Sequence, residues 1–581
     1  MSTTLDGLGI KYESDKCSLL NDYLRHYESL FKTFRNRKFC LVEFSDPGNM
    51  TSAFVWKEYF KRARIIEVIP AGSVCVDDFE GVVIEIGDQN DPAFLRHLAT
   101  KYNPLIVIDD GFHFSSWQIL SFEVIFPHVQ DNGLYIIEDM NSNFHPLSSI
   151  FCQDRGASTF RYLIKLLTFL AKGTTEAPSP GDLELIGCLS GLVESINFIP
   201  KAVVVRKRAG VLGLVFNVKS GFECHSQILK RVPSIAYDRC KPLIFDAPKS
   251  VVDTVNAMLE HNTCSPPAYV AKFKSAFIFD EGIVIDSKKT VVRESLINIE
   301  PTAAFAGFHR IADGVTVIRC ENLEFIPMDI PNNCMLLTQL WDQNYGHWLI
   351  ESLSRLTLLD GVCAAGDLHF LIKKRDERSN GMYIETLAAL GYTEDRISWF
   401  SGPTAVKNLL FASPLTLHPQ VKSPLVLDIM KIIRSNILGA DETDTPSPTK
   451  LYVSRNLDAN DRILLNEEDV IKIAIEHGFV VIHPGLMSFA EQVRVFGNAQ
   501  HVIGNLGAGL TNIVFSNDGL KLLALTSEHM MDDFFWDLVS HKQGAYWSIH
   551  GKASGKRQGY RDDFTIDIEK FAKVLESFLQ S

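Results

Sequence analysis

Short runs of four to six mostly apolar residues, each followed by a stretch of helical periodicity, recur at both ends of this chain. That alternation constrains the fold more than any other feature. In the first two hundred residues the runs are Phe39–Phe44, Arg64–Ile69, Val82–Ile86, Leu105–Ile108 and Leu134–Ile137, with helical patterns near Ser52–Phe60, Asp91–Thr100 and Ser115–Phe126. Strands buried on both faces read as continuous apolar runs, and helices between them predict a parallel sheet with ligands at its carboxyl edge. Asn197–Arg206 reads as late strands that close this segment. The last 130 residues repeat the logic. Lys450–Val453, Phe479–Ile482, His501–Gly504 and Leu520–Leu525 are strand-like, with helical patterns at Glu467–Glu476, Ser488–Asn498, Leu510–Phe515 and Asp532–Ser540. Residues 335–438 read as a further α/β layer, and Ser275–Phe279 and Gly282–Ile285 as strands assigned to it. The fold class expected is α/β: a Rossmann-like sheet over 1–207, a connector over 208–234, and paired Rossmann-like layers over 235–439 and 450–581. Two turn-rich breaks, 173–181 and 440–449, interrupt the pattern.

At 581 residues the chain exceeds one hydrophobic core, so two to four domains are expected. Lys+Arg minus Asp+Glu is 57 − 70 = −13, which argues against a nucleic-acid backbone or an anionic membrane surface as main partner. Eleven cysteines without a C-x-x-C pair read as reduced thiols. There is no run of 18 apolar residues and no basic-then-apolar start. A cytoplasmic protein without an integral membrane segment is expected.

The carboxyl-terminal part carries the densest chemistry. Asn344-Tyr-Gly-His-Trp348 opens a helix on which His347 and Glu351, four apart, share a face. A histidine with a carboxylate can take a proton from a sugar hydroxyl; the same pair also fits a histidine closing a helix end beside a core tryptophan. Ser454 and Arg455 end a strand, followed by Arg462 and Asn466-Glu-Glu468. Arginines at a strand end can grip a diphosphate bidentately or form surface ion pairs. Gly504-Asn-Leu-Gly-Ala-Gly-Leu-Thr-Asn512 joins a strand to a helix, where glycines admit close approach and a helix start suits phosphate.

In order and spacing these pieces, with Phe489-x-x-Gln492, resemble glycosyltransferase family 61 over about residues 235–581. The resemblance implies a GT-B fold, a nucleotide-sugar donor and inverting, metal-independent transfer. It implies His347 or Glu351 as acceptor base, and Ser454, Arg455, Arg462, Gln492, Gly507, Ala508, Gly509, Thr511 and Asn512 at the donor. No Asp-x-Asp triplet occurs, in keeping with no metal-bound diphosphate. Two departures stand out. Leu506 replaces the family's histidine before Gly-Ala-Gly, and no Glu follows the run Leu522-Leu-Ala-Leu525 where the family often has one.

Near the amino terminus, Asp109-Asp-Gly-Phe-His113 follows one strand and Glu138-Asp139 the next. Neighbouring strands would bring Asp110, Glu138 and Asp139 to one rim, a set suited to a divalent cation such as magnesium, with His113 as base; carboxylates capping successive helices are the plainer alternative. With Ser14-Asp-Lys16, Trp56-x-x-Tyr-Phe60, Gly87-Asp-Gln89 and Gly133-Leu-Tyr-Ile-Ile-Glu-Asp139, this resembles S-adenosylmethionine-dependent O-methyltransferases of the macrolide-sugar type over about 7–207. The resemblance implies Asp110, Glu138 and Asp139 as Mg2+ ligands and His113 as base on a sugar hydroxyl. Glu43, Glu67 and Asp88 are the candidate cofactor contacts. Ser45 stands where the first loop's glycine is expected, and Ile69 where an acidic ribose ligand is expected, with Glu67 two residues earlier. The expected function is therefore transfer of a sugar to a bacterial-type surface glycan or glycosylated acceptor, in polysaccharide biosynthesis, with an amino-terminal domain that O-methylates a sugar or serves as scaffold. Rival expectations are a methyltransferase with a glycan-binding module, or a non-catalytic glycan-assembly protein. The sequence leaves the oligomeric state open.

Overall fold

The computed structural model of the chain describes residues 4–45, 50–73, 81–152, 158–172, 185–209, 214–260, 263–279, 281–296, 309–310, 316–319, 325–417, 421–439, 448–456, 461–557 and 559–581. The loop 46–48, the break 173–181, residues 440–447 and residues 210–213 of the expected connector lie outside the described residues. The chain divides into two compact units, Met1–Val218 with Ala303–Glu324, and Lys219–Thr302 with Phe325–Ser581.

In the first unit the apolar runs become strands β1 (Cys40–Phe44), β2 (Arg64–Ile69), β3 (Val82–Ile86), β4 (Ile106–Asp109) and β5 (Leu134–Ile137), followed by β6 (Val193–Ile199) and β7 (Ala202–Lys207). They form one sheet in the order β3-β2-β1-β4-β5-β7-β6, with β1 to β5 parallel and the β6–β7 hairpin antiparallel at the edge. The order reverses between β1 and β4, so a crevice opens at their carboxyl ends. One face of the sheet packs Leu98, Phe122 and Leu163, the other Tyr27, Phe31 and Trp56.

The second unit holds two large sheets. In the first, Ala268–Ile278 pairs antiparallel with Val284–Asp286 on one side and Thr404–Ala412 on the other; beyond Thr404–Ala412 the strands Cys334–Leu336, His369–Lys373 and Ile397–Phe400 continue in parallel. This layer is thus half antiparallel. The second sheet is parallel in the order Leu243–Phe245, Ala545–Ala553, Lys521–Ser527, His501–Asn505, Lys450–Val453 and Val480–Ile482, with Phe564–Thr565 antiparallel beside Ala545–Ala553. Leu243–Phe245 and the helix Lys249–Leu259 therefore join the carboxyl-terminal sheet, not the layer next to them in sequence.

One core, including Trp348, Leu353, Phe370, Met430, Leu451, Val502 and Phe515, lies between the two sheets. The chain closes with helix Ile568–Gln580, started by the Asp567 carboxylate accepting from Lys570 N. Its buried Phe571, Val574, Leu575 and Phe578 recur at three- and four-residue steps, one face of a helix, and seal the outer face of the parallel sheet. Among the described residues no helix is long and apolar enough to cross a membrane.

Candidate functional sites in the two units

In the second unit Asn344 follows a turn and is itself extended, and its side chain accepts from Gly346 N at 2.9 Å and His347 N at 3.4 Å, which starts the helix. That helix is not regular. After one α turn it widens over Trp348–Ser352 and tightens to three-residue spacing over Leu353–Leu359. Arg355 is fully buried and donates to the carbonyls of Ser352, Ala412 and Leu337 at 3.2, 3.3 and 2.5 Å. Its guanidinium ties the helix to two strand ends, because a buried charge is tolerated only when its donors are bonded. Burial pulls the Arg355 pKa down to about 10, against the favourable charges of Asp342 and Glu351.

His347 and Glu351 do face one another. His347 Nδ1 lies 2.9 Å from Glu351 Oε2, and Gln339 Nε2 donates to the same oxygen at 3.2 Å. The Glu351 side chain is 1 % exposed and that of His347 is 21 % exposed, so the carboxylate fixes the ring from below while the imidazole meets solvent.

The glycine turn packs onto the start of this helix. A Cβ on Gly346 would lie 2.9 Å from Thr511 Oγ1, so only glycine permits this approach. Tyr345 OH donates to Asn512 Oδ1 at 2.6 Å, and Asn512 Nδ2 donates to Gln492 Oε1 at 2.7 Å and to Gly509 O at 2.9 Å. Asn512 and Gln492 are thus structural ties between helix and turn. Thr511 Oγ1 is buried and, among the described residues, has no hydrogen-bond partner. Ala508 follows Gly507 at the start of the helical turn Ala508–Phe515.

Arg455 lies across Gly507, where a Cβ would meet its Cδ at 2.6 Å; its Nη1 donates to Leu506 O at 3.1 Å and its Nη2 pairs with Asp461 at 3.0 Å. Arg462 Nε lies 3.5 Å from the same Asp461 oxygen. Burial and then the charge of Arg462 lower the Arg455 pKa. Among the described residues, two guanidiniums share one carboxylate beside the glycine turn. Ser454 donates inward to Glu467 at 3.1 Å, and burial raises the pKa of that carboxyl.

Sequence reasoning missed the far side of this edge. The strand Lys521–Ser527 runs further than read, and its next residue is Glu528. With His529, Met531, Pro248, Ser250 and Thr254, Glu528 lines a cleft of about 650 Å³. Glu528 stands three residues beyond Leu525, where the apolar run ends.

In the first unit, a cleft of about 330 Å³ opens at the carboxyl ends of β1 to β4, lined by Ser45, Ile69, Asp88, Gln89, Gly111 and Trp117 among others. Glu43 and Glu67 are not in its lining. They are register partners on β1 and β2, wholly buried. Glu43 accepts from Ser52 Oγ at 2.8 Å and Trp56 Nε1 at 2.6 Å, while Ser45 donates to Glu67. Burial, then the charge of Glu43, push the Glu67 carboxyl well above the usual carboxyl range. Asp88 is the candidate cofactor contact that reaches the cleft.

Beside the cleft, Lys16 extends into a cluster of carboxylates. Its Nζ meets Glu138 Oε2 at 2.5 Å, Glu43 Oε1 at 3.3 Å, and Asp110. Burial alone would strip its proton, but Asp110, Glu138 and Glu43 together hold its pKa well above the ordinary value. Tyr27 OH donates to Glu138 at 2.7 Å and Tyr23 OH to Asp139 at 2.9 Å. Glu138 is thus committed to Lys16 and Tyr27 below the rim. The side chains that come together at the rim are Asp110, His113 and Asp139, each with a ligand atom within 4.8 Å of the others. His113 Nε2 lies 3.3 Å from Asp139 Oδ2. The two carboxylates at this rim fit a divalent cation such as magnesium, with the imidazole beside them. For an adenosyl cofactor the fit is partial: the cleft is at the right edge and offers Asp88, but Ile69 supplies no carboxylate for a ribose.

Residues 345–523 match the glycosyltransferase 61 family model. The amino-terminal region is similar to sugar O-methyltransferases. One relative is 8-demethyl-8-alpha-L-rhamnosyl tetracenomycin-C 2'-O-methyltransferase of Streptomyces olivaceus, 32 % identical over 214 residues, covering 35 % of this chain and 55 % of that protein. Another is mycinamicin VI 2''-O-methyltransferase of Micromonospora griseorubida, 35 % identical over 149 residues, covering 24 % and 37 %. The chain therefore spans about half or less of the curated relatives' length. Among solved structures, the MycE methyltransferase from the mycinamycin biosynthetic pathway, in complex with Mg and SAH, is 25 % identical over 36 % of this chain and 55 % of that one, with a TM-score of 0.30. The chain thus joins a region that matches the glycosyltransferase 61 family model to a region similar to sugar O-methyltransferases.

Proposed function

We propose that the second unit is a GT-B glycosyltransferase that moves a sugar from a nucleotide donor to a glycan or glycosylated acceptor with inversion and without an essential metal. The observation that carries this reading is the meeting of the His347–Glu351 pair with the glycine turn through Gly346 and Thr511. Glu351 holds Nδ1, so Nε2 is the atom that takes the proton of an acceptor hydroxyl. The hydroxyl oxygen attacks the anomeric carbon, the bond to the diphosphate breaks, and the departing oxygen keeps the electron pair. Arg455 and Arg462, undercompensated by Asp461, meet that charge. Thr511 Oγ1 offers an unused buried hydroxyl to the donor, and the cleft lined by Glu528 and Ser250 has room for its nucleoside. On this reading the acceptor-side layer is 235–439 without residues 243–259, and the donor-side layer is 450–581 completed by residues 243–259. A cytoplasmic enzyme of bacterial-type surface polysaccharide assembly is the setting we favour.

The test is release of nucleoside diphosphate by the full chain from a panel of nucleotide sugars with glycan acceptors. His347→Ala is expected to lose about 10²–10⁴-fold in turnover, the range for a general base. Unchanged turnover in that variant removes His347 from the role, and a matching loss in Glu351→Gln assigns the carboxylate to orienting the ring.

A second activity is favoured by one observation, the cleft at the carboxyl ends of β1 to β4 beside Asp110, His113 and Asp139. S-adenosylmethionine, held along Gly87–Gln89 and Gly111, would supply a methyl group. A cation held by Asp110 and Asp139 would orient a sugar hydroxyl toward His113. Calorimetric titration with S-adenosylhomocysteine, with and without Mg2+, tests this. Micromolar binding supports a bifunctional chain over residues 1–207, and no binding at millimolar ligand leaves that region a scaffold.

A further inference from the structure

Trp341 lies between the strand Cys334–Leu336 and the helix opened by Asn344, and its backbone is left-handed at φ +65°. A bulky aromatic residue rarely adopts that conformation, and such strain persists where the surroundings or the function demand it. The turn itself does not demand tryptophan: its hydrogen bond, Asn344 N to Trp341 O at 2.8 Å, uses only backbone. Glycine would make the same turn without strain.

What the strain achieves is placement of an indole. The ring is half-buried, and its centroid lies 5.3 Å from that of His347 with the planes 43° apart. Two residues before it Gln339 bonds Glu351, the carboxylate that orients His347, and one residue after it Asp342 pairs with Arg375 at 2.9 Å. Arg375 and Lys373 both pair with Glu281, at 2.9 and 3.3 Å. Among the described residues two cations thus face two carboxylates at the carboxyl end of this layer, so these ion pairs balance in formal charge and the neighbourhood is rich in hydrogen-bonding groups.

An aromatic face with a negative quadrupole beside balanced polar groups matches a pyranose, whose ring presents a patch of C–H bonds on one side and hydroxyls at its rim. We propose that Trp341 is the platform on which an uncharged acceptor sugar lies when one of its hydroxyls reaches His347. This rests on the transferase reading above and adds the acceptor's class and the residue that holds it.

The test separates the two claims. The full chain contains seven tryptophans. Labelled with 5-fluorotryptophan, it gives fluorine resonances from which that of Trp341 is assigned by its loss in Trp341→Phe. Titration with methyl glycosides of neutral hexoses, pentoses and 6-deoxyhexoses is expected to shift this resonance and leave the others in place, with methyl glucuronide binding about tenfold more weakly or worse. In the transfer assay Trp341→Gly is expected to raise the acceptor KM about tenfold or more with kcat little changed, while Tm stays at or above the parent value because the strain is gone. Trp341→Phe should recover most of the KM. If no neutral glycoside moves the Trp341 resonance, or if Trp341→Gly keeps the parent KM, the platform is wrong. If glycosides move it but no donor ever yields nucleoside diphosphate, the platform stands and the transferase reading falls.

Discussion

In the amino-terminal unit one ammonium, Lys16, meets the carboxylates of Glu43, Asp110 and Glu138, whereas beside the glycine turn of the other unit two guanidiniums, Arg455 and Arg462, share the single carboxylate of Asp461. The first cluster is held together from within. Lys16 is 1 % exposed and would be intolerable there without its partners. The second cluster repels itself: the Arg462 charge adds to burial in lowering the Arg455 pKa. The first cluster, three carboxylates to one ammonium, is acidic by formal charge and is bound together by Lys16. The second, two guanidiniums to one carboxylate among the described residues, gains most when an anion arrives. The contrast separates charge that builds a scaffold from charge that awaits a substrate.

The contrast breaks most sharply at Lys16. Lys16→Met leaves buried carboxylates uncompensated and is expected to cost the first unit about 3–5 kcal/mol, read from denaturant unfolding of the full chain. A loss below about 1 kcal/mol would mean that the carboxylates simply take up protons, and that Lys16 is not what holds the cluster together. Arg455→Met is the opposite case. It should change folding stability by about 1 kcal/mol or less, since it removes repulsion along with attraction. The same change should weaken nucleoside diphosphate binding about 30-fold or more, because a charged contact to the phosphates goes. Calorimetry on the folded variant reads this, and parent-like affinity would place the diphosphate elsewhere.

The smallest effect concerns protons in the second unit. Burial pushes Asp342 and Asp532 up to about 6 from an ordinary value of 3.8, in Asp342 despite the Arg375 charge. Between those two values the folded chain binds more protons than the unfolded chain. Stability therefore falls as pH rises from about 4 to about 6, by at most about 1.4 kcal/mol per pH unit for each group, and levels off above. Asp342→Asn should flatten its share of that slope in unfolding curves taken across the interval. An unchanged slope would show that the buried ion pair with Arg375 keeps the carboxylate ionised throughout.

Much of this architecture was legible in the residues. Arg64–Ile69 and Glu467–Glu476 form the strand and helix their patterns predict, with the same limits, because a fully buried strand and an amphipathic helix each repeat a local rule. The pairing of His347 with Glu351 follows from a four-residue step on one helix, even though that helix widens and tightens along its length. The late strands at Asn197–Arg206 proved to be a hairpin of two longer strands, since the turn at residues 200 and 201 interrupts the run. Leu243–Phe245 was not legible as part of the carboxyl-terminal sheet, because its parallel partner lies about three hundred residues away.

The sequence by itself determined the local periods, the glycines and caps at the turns, and the presence of carboxylates and arginines near strand ends. Those properties depend on neighbours within a few residues. Only the tertiary structure decided which charges are spent internally: that Lys16 engages Glu138, that Glu43 and Glu67 lie beneath the cleft while Asp88 lines it, and that Trp341 stands beside His347. Such outcomes are set by contacts between segments distant in the chain. The energy of a buried charge depends on every group around it, and no pattern along one segment encodes that sum.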